Sequence, residues 1–148
     1  MAITANMFPM FFHTTWLKEA TLNVDNIKCA LSNTAYTYVA THKYFDAAPF
    51  STAWTELGTA NGYTAGGQTL PSPAITDGQT TSWTANNILW TSTGTLSATS
   101  AVVYDSTPGA GVKPLISWVN FGGTVTAPSG ATLTITWNAS GIISVVVA

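Results

Sequence analysis

The chain has 148 residues and a formal net charge of −2, from four Lys, no Arg, two Glu and four Asp. Charged residues make up 7% of it, against roughly 25% in ordinary soluble domains. The few lysines are scattered, which excludes a phosphate-binding surface for nucleic acid. Its 17 aromatic residues (6 Trp, 5 Tyr, 6 Phe) exclude charge-driven disorder. The composition predicts one ordered domain, with a surface supplied largely by 26 Thr and 12 Ser.

An apolar segment opens the chain, and it is the only part that lacks strand character. Phe8, Phe12 and Trp16 recur at intervals of four residues, a spacing that predicts one face of a short helix. Residues 1–20 are therefore expected to form an N-terminal helix or arm. Residues 21–148 are expected to form the β domain.

The same segment suggests an attachment site. Residues 7–12 are apolar but far too few to span a bilayer, which takes about 20, and they have no basic flank typical of a signal peptide. We therefore expect synthesis in a cytoplasm and no membrane contact. Because an exposed run of Met and Phe would promote aggregation, the segment should pack on its own core or on a partner. The residues predicted to dock on a partner or on another copy are Phe8, Phe11, Phe12 and Trp16.

Strand signals begin near residue 27. An alternating pattern predicts a strand with one buried face, formed by Ile27, Cys29 and Leu31. Cys29 is the single cysteine, so it forms no disulfide within the chain, and its apolar surroundings predict a small buried hydrophobe rather than a nucleophile. Residues 36–39 are expected to form a second strand, and residues 41–48 a helical turn stopped by Pro49.

From residue 58 onward, frequent turn signals separate short strands. The clearest strand is 132–137, with Leu133, Ile135 and Trp137 facing inward and three Thr facing outward. The turn at 138–141 is expected to join this strand to 142–147 as a hairpin. The predicted architecture is all-β, a single β-sandwich or distorted barrel with a short N-terminal helix or arm.

Two further segments predict central strands. Residues 101–104 form a continuous apolar run, as buried strands often do. Residues 115–121 carry apolar side chains on both faces, which predicts a strand covered on two sides. Alternation assigns Leu115, Val119 and Phe121 to one face of that strand, and Ile116 and Trp118 to the other.

Motifs for chemistry are sparse. His42 precedes Asp46 by four residues, which on a helix would place them on one face, but zinc needs three or four ligands and no second cluster completes a set. Residues 62–67 are rich in Gly yet lack the Lys-Ser/Thr of a phosphate loop, and Gly66-Gly67 is predicted to form a bulge or a tight turn. The acids are isolated, although a glycosidase pair could come from distant strands. We predict no enzyme, no metal and no cofactor.

The tryptophans leave a choice open. Exposed Trp and Tyr on a β-sandwich can stack on sugar rings, and Trp83 and Trp90 flank two Asn residues whose amides suit sugar hydroxyls. With Tyr104 they form a candidate glycan or partner contact. The alternative is that Trp83 and Trp90 cover a sheet edge or an interface, as Trp commonly does, and that the core contains Trp16, Trp118 and Trp137.

Several segments in one order resemble a family of small structural proteins of tailed bacteriophages. The most specific are Tyr63-Thr-Ala-Gly-Gly and the closing Trp137-x-x-x-Gly-Ile. The others are residues 27–31, 35–37, 41–45, 68–70, Trp90, 101–104, 114–122 and 135–136. The chain departs from the family pattern in its apolar N-terminus and in the few acids of residues 46–57, which leaves the attachment site open.

The resemblance implies a β-rich, non-enzymatic virion protein. Its expected function is that of a capsid decoration (cement) protein on the head surface. The expected partners are the major capsid protein and other copies of the chain itself, with which it could form a trimer. The alternative is a tail or fibre component that binds host glycans through exposed aromatics. The low charge fits such a protein, because charges buried at each contact would have to be desolvated. Much of the Thr-rich surface is accordingly expected to be interface.

Overall fold

The computed structural model describes residues 3–146, which form an all-β fold of several antiparallel sheets. The strands are β1 Thr4–Met7, β2 Ile27–Ser32, β3 Gln68–Thr69, β4 Ala74–Thr76, β5 Thr80–Thr84, β6 Ile88–Thr91, β7 Leu96–Asp105, β8 Leu115–Ala127, β9 Thr132–Ile135 and β10 Ile143–Val146. The helices are α1 Met10–Trp16 and α2 Phe50–Ala53. A five-stranded sheet has the order β1-β8-β7-β2-β3, a three-stranded sheet β10-β5-β4, and β6 pairs with β9.

The five-stranded sheet is buried on both faces. On one face Cys29 and Leu31 of β2 lie beside Val103 and Ala101 of β7, and pack with the buried side chains of β5, β6 and β9. We call this the strand-covered core. Its alternating β2 residues confirm the predicted inward face, and burial raises the pKa of the Cys29 thiol, so that it behaves as the expected small hydrophobe.

The opposite face carries an aromatic core, which is covered by residues 34–57. That covering segment contains the short helix α2 and little other regular structure. Each central strand also contributes to this core, Ala30 from β2, Val102 from β7 and Trp118 from β8. The buried and partly buried aromatic members are Phe8, Tyr36, Tyr38, Phe45, Phe50, Trp54, Tyr104 and Trp118.

Strand β8 is covered on two sides, as predicted, but its face assignment is wrong at the first two residues. Val103 pairs with Ser117 whereas its neighbour Tyr104 pairs with Leu115, so the strand has one extra residue there. This β-bulge reverses the alternation. It places Leu115 in the aromatic core and Ile116 in the strand-covered core.

The C-terminal strands separate rather than pair. Leu133 and Ile135 are buried and the intervening Thr134 is exposed, which confirms the inward face of β9. However, β9 pairs with β6 and β10 pairs with β5, so the predicted hairpin across residues 138–141 is wrong. Those residues still turn, since the Gly141 N–H donates to the Asn138 carbonyl at 2.9 Å. Of the strand predicted over 142–147, residue 147 lies outside the described range.

Residues 34–57 also differ from expectation. Residues 36–39 form no strand, because their tyrosines lie against the aromatic core instead of continuing a ladder. Residues 41–48 form turns and not a helix, and Pro49 precedes helix α2 instead of ending one. Apart from one bridge, between Tyr44 and Pro114, ring packing therefore takes the place of a strand ladder in this covering segment.

The N-terminal segment is part of the sheet. Residues 4–7 form edge strand β1, which pairs with β8 from Thr4↔Asn120 to Met7↔Ser117, so the expectation that this segment lacks strand character is wrong. Met1 and Ala2 lie outside the described range. Of the helices that the structure describes, neither has the length and apolar run needed to cross a bilayer.

Candidate functional site

Helix α1 presents two aromatic side chains to solvent. Trp16 is 81% exposed and Phe12 39% exposed, and the following residue Leu17 is 56% exposed. Phe12 and Trp16 are four residues apart, which places them on one side of the helix. An indole this exposed leaves a large apolar area in water, and such area is typical of an interaction site.

The other side of α1 is fixed to the body. Phe11 and Thr14 are buried, and Phe11 joins the strand-covered core. The Thr14 hydroxyl donates to the Phe11 carbonyl at 2.7 Å, so its polar group is satisfied inside the helix. Because one side is anchored, the exposed Phe12 and Trp16 are held on a short helix of defined position.

The helix ends in a turn that the sequence did not reveal. Lys18 adopts a left-handed backbone with φ of 59°. The Lys18 N–H donates to the Thr15 carbonyl at 3.0 Å and the Glu19 N–H to the Thr14 carbonyl at 2.8 Å. This is the Schellman arrangement, in which Gly usually takes the left-handed position. The missing Gly explains why no helix end could be predicted here.

Two of the four residues predicted to dock on a partner are unavailable. Phe8 is 0% exposed and lies with Tyr38 and Phe50 at ring-centroid distances of 5.2 and 6.0 Å. Phe11 is buried as described above. The prediction that Phe8 shares an outer face with Phe12 and Trp16 is therefore wrong, because Phe8 precedes the helix and turns inward. Phe12 and Trp16 remain accessible.

All three aromatic residues predicted to contact glycans are buried. Trp83, Trp90 and Tyr104 are 3%, 0% and 2% exposed. Tyr104 stacks on Phe45 at 3.9 Å between ring centroids and donates to the Gly66 carbonyl at 2.8 Å. The expectation that these rings are exposed is wrong. Both Trp83 and Trp90 lie in the strand-covered core. Of the tryptophans that the alternative placed in the core, Trp118 is buried, whereas Trp16 is exposed, so that part of the alternative is wrong.

His42 and Asp46 do not combine into a site. The His42 ring is buried, bonds to the Tyr36 hydroxyl through Nδ1 at 2.8 Å, and has its pKa lowered by burial. Asp46 forms an ion pair with Lys113 at 3.2 Å and accepts the Gly111 N–H at 2.9 Å. Within residues 3–146, His, Cys, Asp and Glu side chains form no group of three that could hold a metal ion.

Sequence reasoning missed a pair of carboxyl groups. Asp105 is 0% exposed, its Oδ1 accepts the Thr107 N–H at 2.8 Å, and its Oδ2 is buried without a hydrogen-bond partner among the described residues. Burial, together with the neighbouring Asp25 carboxyl, raises the pKa of Asp105 to about 6. The two acids are 80 positions apart, and only the pairing of β2 with β7 brings them together.

The turn at residues 63–67 has a structural role. Glu56 accepts hydrogen bonds from the Tyr63 hydroxyl and the Gly66 N–H. Gly67 has a φ of 66°, and a Cβ there would lie 2.1 Å from the Cys29 carbonyl oxygen. The residues therefore form the tight turn that the sequence predicted, packed against β2.

The described residues thus offer an exposed aromatic helix as their clearest contact surface. A Trp and a Phe on the exposed side of an anchored helix can bury apolar area against a protein partner. Comparison of the chain with protein-family models, with curated proteins and with solved structures finds no match.

Proposed function

We propose that this protein is a non-enzymatic structural component of a bacteriophage virion, a decoration protein that binds the major capsid lattice on the head. The single observation that carries the proposal is the exposure of Trp16 and Phe12 on a helix whose opposite side is anchored. Trp is enriched among the residues that dominate binding energy at protein interfaces. Many copies of such a modest contact on one lattice would give strong attachment through avidity.

The outer face of β9 supports the same function. Thr132 and Thr134 are exposed while Leu133 between them is buried. The β-branched side chain of Thr favours the extended backbone, and its hydroxyl forms hydrogen bonds with water without adding charge. A surface of this kind can pack on a neighbouring subunit without the cost of desolvating ions.

The glycan-binding alternative draws no support from these rings. That alternative required the side chains of Trp83, Trp90 and Tyr104 to be exposed around a groove, and all three are buried. A buried indole cannot stack on a sugar. We therefore favour attachment to the capsid through α1 over the alternative of a tail or fibre component that binds glycans.

The test is substitution of the exposed pair. The double variant Phe12→Ser with Trp16→Ser should lose about tenfold or more of its affinity for empty capsids assembled from the major capsid protein of the same virion. Bound and free protein are measured after co-sedimentation. Deletion of residues 1–16 is a poorer test, because it also removes β1 and the buried Phe8.

The matched control is Val24→Ser, which removes an apolar side chain that is 78% exposed in the turn at residues 21–25. Both variants should unfold within about 1 kcal/mol of the parent. Capsid binding that survives loss of both α1 aromatics, in a variant of normal stability, would show that this helix is not the attachment surface.

A further inference from the structure

The edge strands of the two larger sheets fall into two kinds. Strand β3 is only two residues long, and β4 is bracketed by Pro73 and Asp77. Short length, Pro and charge are the usual means by which proteins stop an edge from pairing with another chain. These two edges are therefore protected.

The other two edges, β1 and β10, have no such protection. Neither Thr4–Met7 nor Ile143–Val146 contains Pro or a charged residue. Both strands line the same cleft, which has a volume of about 540 Å³ and no charged residue among those that line it. Two unprotected edges thus meet at one neutral cleft between the layers of the fold.

The hydrogen bonds of β1 show which backbone groups are free. The Phe8 N–H donates to the Ile116 carbonyl of β8 at 3.0 Å. Antiparallel pairing alternates, so Ala5 and Met7 direct their backbone groups away from β8. The Met7 carbonyl accordingly accepts the Tyr38 hydroxyl at 2.6 Å. The N–H and C=O of Ala5, an exposed residue, remain available among the residues that the structure describes.

A buried polar group in the cleft also lacks a partner. Ser117 of β8 lines the cleft and is 5% exposed, and its hydroxyl makes no hydrogen bond within residues 3–146. A buried hydroxyl without a partner costs about 1–3 kcal/mol. Because Ser117 pairs with Met7 of β1, it lies one strand inside the edge, where only a long polar side chain of a bound segment could reach it.

We propose that this cleft receives an extended, uncharged segment of another protein, which adds to β1 as a sixth strand of the sheet. The free groups of Ala5 supply main-chain hydrogen bonds, as in known strand-addition complexes. The neutral wall selects against charged side chains, because a charge buried there would have no counter-ion. The inference is independent of the attachment proposed for α1, which uses other residues.

A different protein is a better occupant than a second copy. Within the described part of the chain every strand is already paired in a sheet of its own molecule. A second copy would have to release one of these strands in order to fill the cleft. A partner segment that is unpaired before binding has no such cost.

The probe is the peptide acetyl-Ser-Val-Thr-Val-Thr-Val-Ser-amide, with a second peptide in which Glu replaces the central Val. In the isotopically labelled full chain, saturating neutral peptide should slow amide exchange at Ala5 by about tenfold or more. The Glu peptide should bind at least about tenfold more weakly. Exchange is followed residue by residue by NMR, and Kd by titration.

Two variants test the geometry. Ala5→Pro removes an outward N–H without removing a β1–β8 hydrogen bond, and should weaken the neutral peptide about tenfold. The matched control is Ile75→Pro on β4, whose N–H also points outward by the same alternation, and it should leave Kd within about twofold.

Three results would overturn the proposal. They are no binding of the neutral peptide, binding with unchanged exchange at Ala5, and protection of Ala5 that grows with protein concentration in the absence of peptide. The last would assign the edge to a second copy. If Ala5→Pro fails to fold, the Ala5 exchange rate and the comparison of the neutral and Glu peptides decide the matter.

Discussion

The two faces of the five-stranded sheet are covered in different ways. The strand-covered core packs against β5, β6 and β9, whose backbones are held by their own sheet ladders. The aromatic core packs against residues 34–57, where only α2 has regular structure. A ladder holds its strand even where a side chain is lost, whereas a segment without a ladder depends on its rings.

The rings of the aromatic core form a connected set of contacts. Phe50 lies within 5.5 Å of both Tyr36 and Trp54, measured between ring centroids. Tyr38 stacks on Trp118 at 5.9 Å with an angle of 15° between the planes. Aromatic pairs of this kind each contribute roughly 0.5–1.5 kcal/mol beyond their buried area. The difference between the faces can be tested by removing one ring from each.

The largest effect should come from Trp90→Ala. This indole is 0% exposed in the strand-covered core, beside Tyr63 at 6.2 Å between ring centroids. Its loss should lower the free energy of unfolding by about 4 kcal/mol. Denaturant unfolding should remain one transition, because the ladders keep the layer in place. A second transition would show that β6 and β9 had detached as a unit.

Phe50→Ala should cost somewhat less, about 3 kcal/mol, but act locally. Phe50 is the centre of the rings that hold residues 34–57. Amide exchange should accelerate across that covering segment while β2 and β7 stay protected. Equal acceleration in the segment and in the central strands would mean that the two faces do not differ in the way described.

Asp105→Asn should change the pH dependence of stability. The pKa of Asp105 is raised from 3.8 to about 6 in the folded protein. The folded state therefore holds this proton more tightly, so the contribution of Asp105 to stability is most favourable below about pH 4 and declines as the pH rises to about 6. The variant should remove this decline and gain on the order of 1–3 kcal/mol at pH 7.

The physical reason is that an amide can donate to Asp25, whereas a second carboxylate repels it. Unfolding curves at a series of pH values provide the measurement. Asp77→Asn, in an exposed turn, is the control and should leave the profile unchanged. A parent protein whose stability rises steadily from pH 4 to pH 7 would contradict the assignment.

The smallest effect on stability should come from Thr134→Lys on the outer face of β9. The side chain is exposed, so the free energy of unfolding should change by less than about 0.5 kcal/mol. If the Thr-rich face is interface, as we propose, capsid occupancy should nevertheless fall. Unchanged occupancy would confine attachment to α1 and leave the β9 face in solvent.

Local periodicity predicted the strands whose partners are regular. Ile27, Cys29 and Leu31 alternate because one face of β2 is buried throughout, and the same holds for Leu133 and Ile135 in β9. The predictions failed at the bulge near Ile116, where one extra residue reverses the alternation of the side chains. They also failed at residues 36–39, where aromatic packing takes the place of strand pairing. Neither the bulge nor the ring packing has a periodic signal.

The candidate sites show the same division between what residue type indicates and what the fold decides. Composition alone identified the N-terminal aromatics as unusual, yet only the fold decided that Phe8 and Phe11 turn inward while Phe12 and Trp16 face solvent. Likewise the Asp25–Asp105 pair and the neutral cleft beside β1 arise from strands distant in sequence.

By itself the sequence determined an all-β fold, the inward faces of β2 and β9 and a surface almost without charge. These properties depend on residue type and on spacing over a few positions. The tertiary structure alone decided which aromatic rings are accessible, which edges stay open and which acids meet. Those properties depend on strand order and register, and these are set by the packing of the whole chain.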